Sequence, residues 1–298
     1  MPESVAAGQS GREPFGSRLA AAMAARGPLC VGIDPHPGLL ADWGLNDDVA
    51  GLERFSLTVV EAVATLAAAV KPQVALYERH GSAGMAVLER TLAAASDAGV
   101  LSIADAKRGD IGSTMAAYAD AWLRDGSALA ADSVTLSPYL GFESLRPALD
   151  LAAESGRGVF VLALTSNPEG KSVQHVGGSE SVARRIAEAA AEENRRYSGT
   201  LGSGGRGPLG LGSVGLVVGA TIGGALVELG LDLEAVHGPI LAPGLGAQGA
   251  TPADLRATFG AAFPAVLATS SRGILAAGPT IAGLRSATEA TRDGLLEG

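Results

Sequence analysis

The stretch Leu101–Thr114, which reads LSIADAKRGDIGST, joins a short apolar segment to a cluster of charged residues. Its first half predicts a short buried strand. Asp105 and Lys107 stand two residues apart, and in a strand that spacing turns both side chains to the same face. Gly109 can adopt positive φ and predicts a turn before Asp110. Because burying an unpaired charge costs roughly several kcal/mol, these charges favour a functional site, with a solvated salt-bridge cluster as the alternative.

The chain around this stretch alternates between short apolar segments and segments with helical spacing. The predicted strands are 29–34, 70–74, 100–106, 133–137, 159–165, 216–220, 240–243 and 265–269. The predicted helices are 15–26, 52–69, 84–98, 114–125, 145–154, 179–196, 223–229, 252–259 and 280–296. Short apolar strands between helices are typical of a parallel sheet covered by helices. Eight such units in 298 residues favour a single α/β domain folded as a closed (β/α)₈ barrel, the TIM barrel, over a doubly wound open sheet.

Two segments do not fit this alternation. Residues 1–13 are small and polar and predict a disordered N-terminal tail, so that the barrel occupies 14–298. Residues 197–213 are rich in Gly and Ser and predict a flexible insertion within the barrel. A phosphate-binding glycine loop is the other interpretation of the insertion, but no helix begins directly behind it.

The composition restricts the classes of partner. A net charge of −9 and the lack of a basic stripe argue against binding to nucleic acid. Every apolar run is shorter than the roughly 20 residues that a membrane span needs. The single cysteine, Cys30, lies in an apolar run, and the four histidines show no metal-binding spacing. We therefore expect a cytoplasmic protein with no membrane partner and no metal site.

Charged residues follow several of the predicted strands. In a TIM barrel the carboxyl ends of the strands form the active-site face. Asp34 follows the apolar run of the first strand and Lys71 follows the apolar run 68–70 at the second, so both are expected at the same mouth as Asp105 and Lys107. Alternating acids and bases keep one another ionised, because each Lys lowers the pKa of a neighbouring Asp and each Asp raises that of a Lys. Such an array predicts a preorganised electrostatic site.

The loops after the seventh and eighth strands carry residues suited to phosphate. These loops commonly bind phosphate in this fold. Gly246 allows backbone N–H groups to approach oxygens, Gln248 offers an amide donor, and Arg272 can pair with two oxygens at once. The sequence therefore predicts that these three residues bind a phosphate group.

The string from Asp105 to Thr114 resembles the D-x-K-x-x-D signature of the orotidine 5'-monophosphate decarboxylase family. Its full form, DAKRGDIGST, is similar to the bacterial branch of the family with longer chains. Other segments that resemble the family are Val31-Gly-Ile-Asp34, Lys71-Pro-Gln, Leu164-Thr-Ser166-Asn-Pro, Pro243-Gly-x-Gly-Ala-Gln248 and Ser271-Arg272-Gly273. The resemblance extends from about Leu29 to Ala277, and the tail and the insertion differ from the family only in length.

The resemblance implies a carboxy-lyase of pyrimidine biosynthesis. The implied reaction converts orotidine 5'-phosphate to uridine 5'-phosphate and carbon dioxide without a metal or cofactor. Lys107 is expected to stabilise the C6 carbanion and protonate it, while Asp105 holds Lys107 near the departing carboxylate. Asp34 and Lys71 are expected to orient the ribose hydroxyls and to complete the charge array.

The resemblance also implies contacts to the pyrimidine and between subunits. Ser166 is expected to contact the pyrimidine ring. Asp110, as a catalytic residue, and Thr114, as a substrate-binding residue, are expected to reach into the neighbouring subunit's site. These two residues imply that the active form is a homodimer.

Three other functions compete with this interpretation. A metal-dependent keto-sugar-phosphate decarboxylase or aldolase of the same suprafamily shares the signature, but it should carry an acidic metal ligand where this chain has Lys71. A Schiff-base aldolase needs a lysine of depressed pKa, whereas Lys71 and Lys107 stand among acids. A non-catalytic barrel that only binds a nucleotide or a partner would be expected to have lost part of the charge array, whereas all four charged residues of the array are present here.

Overall fold

Eight parallel strands close into one barrel, in the order β1 to β8 with β8 paired to β1. The structure is a computed structural model and describes residues 11–201, 209–246 and 249–297. The strands are β1 Leu29–Ile33, β2 Ala69–Pro72, β3 Leu101–Arg108, β4 Ser133–Leu136, β5 Gly158–Leu164, β6 Val214–Val218, β7 Ile240–Pro243 and β8 Val266–Ser270. The closed order confirms the predicted (β/α)₈ barrel and excludes the open sheet.

Helices connect successive strands and cover the outside of the barrel. They are α1 Phe15–Arg26, α2 Pro37–Asp42, α3 Val49–Val63, α4 Ala75–Glu78, α5 Gly81–Asp97, α6 Gly112–Leu123, α7 Arg146–Ser155, α8 Lys171–Gln174, α9 Val182–Leu201, α10 Ala225–Glu228, α11 Pro252–Phe259, α12 Arg272–Leu275 and α13 Ile281–Leu296. Among the described residues, no helix is both long enough and apolar enough to cross a membrane.

Alternate residues of most strands enter two different apolar clusters. In β1, Leu29, Val31 and Ile33 pack in the layer between the sheet and the helices, whereas Cys30 points into the barrel. The inward cluster also takes Phe160 from β5 and one side chain each from several other strands. This period of two follows from the pleat. It fills the lower half of the barrel, which is the half at the amino-terminal ends of the strands, with apolar side chains.

Helix α1 closes the amino-terminal end of the barrel. The Phe15 ring packs edge-to-face against the Phe160 ring, with centroids 5.9 Å apart. Gly158 makes this contact possible, because a Cβ there would lie 2.1 Å from Phe15 Cδ1. Arg12 Nη1 donates to Asp125 Oδ1 at 2.8 Å, so the end of the predicted disordered tail is held against the barrel. Residues 1–10 of that tail lie outside the described residues.

Several element bounds differ from the sequence prediction. Helix α3 ends at Val63 rather than at 69, because residues 64–68 form the turn that leads into β2. Helix α9 extends to Leu201, so the first residues of the predicted insertion 197–213 continue this helix. Residues 202–208 of the insertion lie outside the described part of the chain.

Candidate active site

A pocket of about 330 Å³ opens at the carboxyl end of the strands. Its size is at the lower end of the range for small-molecule sites, about 300–1,000 Å³. Six of the predicted site residues line it: Asp34, Lys71, Asp105, Lys107, Ser166 and Arg272. These residues lie in or shortly after β1, β2, β3, β5 and β8, so the carboxyl ends of five strands meet at this pocket.

The strand pleat explains why these side chains meet. Cys30, Ala69 and Ile103 belong to the inward apolar cluster that fills the lower barrel. Lys71 and Asp105 each follow one of these inward residues by two positions, and they line the pocket. The pocket floor is thus the next layer of the same barrel interior, in which charges replace apolar side chains.

The Asp105 carboxylate is the centre of the site and accepts four hydrogen bonds. Lys71 Nζ and Gln73 Nε2 donate to Oδ2 at 2.9 and 3.2 Å. Lys107 Nζ and the Thr135 hydroxyl donate to Oδ1 at 2.6 and 3.0 Å. Each oxygen therefore has one ammonium donor and one neutral donor, which uses the full acceptor capacity of a carboxylate.

Lys71 and Asp105 are a buried ion pair, with 5% and 8% of their surfaces exposed. Burial lowers the pKa of Lys71, but the negative charges of Asp105 and Asp34 together outweigh it, and the pKa is raised above 10.5. Burial by itself would raise the pKa of Asp105. The charges of Lys71 and Lys107 outweigh that effect and hold its pKa well below 3.8. Both groups are consequently ionised at neutral pH.

Lys107 differs from Lys71 in exposure and in backbone conformation. Its side chain is 46% exposed, so the ammonium can meet a ligand while it contacts Asp105. Its φ is +47°, a left-handed conformation that costs a non-glycine residue about 1–2 kcal/mol. Strain of this kind is concentrated at functional sites, where the surrounding structure enforces it.

Asp34 lines the pocket but is not part of the ion-paired cluster. Its Oδ1 is buried and has no hydrogen-bond partner among the described residues. The predicted alternating array therefore consists of a bonded core, Lys71–Asp105–Lys107, and a fourth charge that acts on Lys71 only through space. An unpartnered acceptor at the pocket wall can receive a donor from a ligand.

The comparisons with known proteins identify the family. The model of the orotidine 5'-phosphate decarboxylase / HUMPS family matches residues 27–287. A Salinispora arenicola protein named orotidine 5'-phosphate decarboxylase is 58% identical over 279 residues, which cover 93% of this chain and 95% of that protein. This chain belongs to the orotidine 5'-phosphate decarboxylase / HUMPS family. The Streptomyces coelicolor protein of the same name is 57% identical over 280 residues, with the same coverage of both chains.

Solved structures related to this family share the fold. A crystal structure from Streptomyces avermitilis has a TM-score of 0.88 and 54% sequence identity, and the match covers 99% of both chains. The structure of Leishmania donovani OMP decarboxylase has a TM-score of 0.72 and 30% identity, and the match covers 95% of this chain and 98% of that one.

The motifs that resemble the decarboxylase family reach the pocket to different extents. Ser166 and Arg272 line it. Of the β7 loop, Gly244 and Leu245 line the pocket, whereas Gly246 follows them and does not. Gln248 lies outside the described residues. The phosphate-binding roles of Gly246 and Gln248 therefore stay predictions.

Asp110 and Thr114, which the family resemblance assigns to a neighbouring subunit's site, do not line this chain's own pocket.

The backbone before Asp110 differs from its prediction. A positive φ was predicted at Gly109, but in this segment Lys107 and Gly112 have positive φ and Gly109 does not. Gly109 is instead required by close packing, since a Cβ there would lie 2.2 Å from the Ser137 carbonyl oxygen.

Sequence reasoning missed two residues that hold Asp105. Gln73 follows Lys71 by two positions, so the period of the strand could have placed it on the same face. Thr135 contacts Asp105 only because of the register between β3 and β4, which the sequence does not reveal. No group of three or more His, Cys, Asp or Glu able to hold a metal ion occurs in the part of the chain that the structure describes.

Proposed function

We propose that this protein decarboxylates orotidine 5'-phosphate to uridine 5'-phosphate and carbon dioxide, in the cytoplasmic synthesis of pyrimidine nucleotides, without a metal or cofactor. The observation that carries the proposal is the Asp105 carboxylate held between the ammonium groups of Lys71 and Lys107 at the pocket floor. Family membership and the names of relatives at 55–58% identity support the same substrate.

Lys107 supplies the chemistry in this proposal. Breaking the bond between C6 and the carboxylate leaves the electron pair on C6, where no conventional electron sink exists. An ammonium at that position stabilises the developing charge and then transfers a proton to C6. The exposed half of the Lys107 side chain allows this contact, and the hydrogen bond to Asp105 fixes its direction.

The other residues bind and orient the substrate in this proposal. Asp105 holds Lys107 beside the departing carboxylate, and Lys71 keeps Asp105 ionised. The unpartnered oxygen of Asp34 accepts a hydrogen bond from a ribose hydroxyl, and Ser166 contacts the pyrimidine. Phosphate is bound by Arg272 together with Gln248 and the backbone around Gly246. Binding energy from this remote phosphate contributes to catalysis by fixing the geometry at C6.

The competing functions agree less well with these contacts. A metal-dependent keto-sugar-phosphate enzyme should carry an acidic ligand at the position of Lys71, where the raised pKa maintains a positive charge that repels a cation. A Schiff-base aldolase requires a neutral nucleophilic amine. The raised pKa of Lys71 is the opposite of that requirement.

We expect purified protein to consume orotidine 5'-phosphate at the same rate before and after treatment with a chelator. The measurement is the fall in absorbance of the substrate, with uridine 5'-phosphate and carbon dioxide identified as products. A rate that disappears on chelation and returns with added magnesium would favour the metal-dependent alternative. Borohydride trapping of a covalent adduct with substrate would favour the Schiff-base alternative.

The proposal includes a homodimer in which Asp110 and Thr114 complete the neighbouring site. The loops after β3 and β4 lie side by side, since Ser137 N donates to the Arg108 carbonyl oxygen at 2.7 Å. These loops expose three large apolar side chains, Ile111, Tyr139 and Leu140, at 61%, 79% and 55%. Apolar side chains grouped next to Asp110 support a subunit interface at this face.

Mixing two inactive variants tests the shared site. Variants Lys107→Ala and Asp110→Ala should each be inactive alone. After mixing and subunit exchange, a mixed dimer has one site with both substitutions and one intact site, so a 1:1 mixture should recover about a quarter of wild-type activity. If Asp110 acts within its own subunit, every site keeps one substitution, and the mixture stays inactive.

A further inference from the structure

Strands β3 and β4 are out of register directly beside the catalytic pair. Ala104 pairs with Val134, but the next pairing joins Arg108 to Leu136. Three residues of β3 therefore face a single residue of β4, Thr135. Such a bulge interrupts the ladder of backbone hydrogen bonds and leaves N–H groups in need of other partners. The interrupted segment includes both Asp105 and Lys107.

The Thr135 hydroxyl fills the gap in the ladder. Its oxygen accepts a hydrogen bond from the Lys107 backbone N–H at 2.9 Å. A hydroxyl has a single proton, and this proton is directed to Asp105 Oδ1 at 3.0 Å. Thr135 is 1% exposed, so water cannot readily replace either bond. One hydroxyl thus joins the backbone of the lysine to the carboxylate that its side chain contacts.

We propose that Thr135 is a positioning residue, which fixes the left-handed backbone of Lys107 and thereby the direction of its ammonium. Three observations support this. Lys107 adopts φ +47°, which a non-glycine residue does not adopt without external constraint. Thr135 is the hydrogen-bond partner of its N–H in the bulge. Finally, Lys107 Nζ and Thr135 Oγ1 both donate to the same oxygen, Asp105 Oδ1, so a displacement of Thr135 changes both hydrogen bonds.

The inference rests on the proposed decarboxylation for its kinetic test. Thr135→Val keeps the shape of the side chain but removes the hydroxyl. Because misplacing a catalytic group by ~1 Å can cost about 100-fold in rate, we expect kcat to fall by about 10- to 100-fold while KM changes far less. Thr135→Ser restores the hydroxyl and should keep kcat close to that of the wild type. A purely structural role would instead reduce the amount of folded enzyme and leave its kcat unchanged.

Thr135→Ala is a second variant that lacks the hydroxyl, in case valine prevents folding, and it should also lower kcat. Folded fraction is followed by thermal denaturation, and kcat is expressed per folded site. If Thr135→Val or Thr135→Ala turns over at the wild-type rate, or if Thr135→Ser is as slow as they are, the inference is wrong.

A crystal structure of Thr135→Val separates this inference from the proposed function. We expect the Lys107 backbone to leave the left-handed region and its Nζ to lose the short contact with Asp105 Oδ1. An unchanged Lys107 backbone and an unchanged ion pair would overturn the inference, whatever the kinetics. If the wild type does not consume orotidine 5'-phosphate, the proposed function fails, and the crystal structure still decides the role of Thr135.

Discussion

Replacement of Lys107 by alanine should abolish decarboxylation of orotidine 5'-phosphate and leave the barrel folded. The substitution removes the proton donor and the cation that faces the developing carbanion. General acid catalysis contributes about 10²–10⁴-fold and electrostatic stabilisation another 10²–10³-fold, so we expect kcat/KM to fall by about 10⁴-fold or more. The fold should persist, because the Lys107 side chain is 46% exposed and Asp105 retains Lys71 as its partner.

A matched control is available because the chain contains only three lysines, at positions 71, 107 and 171. Lys171 is exposed on α8, and Lys171→Ala should retain the wild-type rate. Absorbance assays of both variants and far-ultraviolet circular dichroism separate loss of chemistry from loss of fold. Substantial turnover by a folded Lys107→Ala protein would rule out Lys107 as the proton donor.

The barrel could be predicted from sequence because each strand is a short apolar run followed by a helix. Residues at strand ends were then assigned to one mouth by the rule for this fold, and six of the assigned residues do line one pocket. The same period of two that orients Cys30 inward also orients Lys71, Asp105 and Gln73. Applied to every strand, this period would have identified Gln73 in advance.

Other parts of the site depend on relations between strands that no local pattern contains. Thr135 faces Asp105 only because β3 carries extra residues against β4, and Lys107 is left-handed at that bulge. A positive φ was predicted for Gly109, yet glycine is needed there because a Cβ would clash with the Ser137 carbonyl oxygen. The Gly-rich composition after Arg196 predicted a flexible segment, yet α9 continues to Leu201, because helix propensity is only a weak guide to where a helix ends.

Replacement of Asp105 by alanine should destabilise the protein as well as inactivate it. The change leaves the Lys71 ammonium buried without its ion-pair partner, a situation that typically costs about 3–5 kcal/mol. Asp34 remains as a nearby negative charge, so we expect a loss near the lower end of that range. Urea denaturation at neutral pH measures the free energy of unfolding. The double variant Lys71→Met, Asp105→Leu should recover most of the stability and stay inactive.

The pH dependence of that stability difference tests the same ion pair. The pKa of Asp105 is lower in the folded protein than in the unfolded chain. The ionised carboxylate therefore makes its full contribution to the free energy of unfolding above the unfolded pKa of about 4, and this contribution is lost as the pH falls through the folded-state pKa. The pKa of Lys71 is raised, so its contribution is complete below about pH 10.4 and is lost as the pH rises through the folded value. The difference between wild type and Asp105→Ala should therefore be constant near neutral pH and shrink below about pH 4. A difference that stays constant into strong acid would show that Asp105 stabilises the fold by its shape and not by its charge.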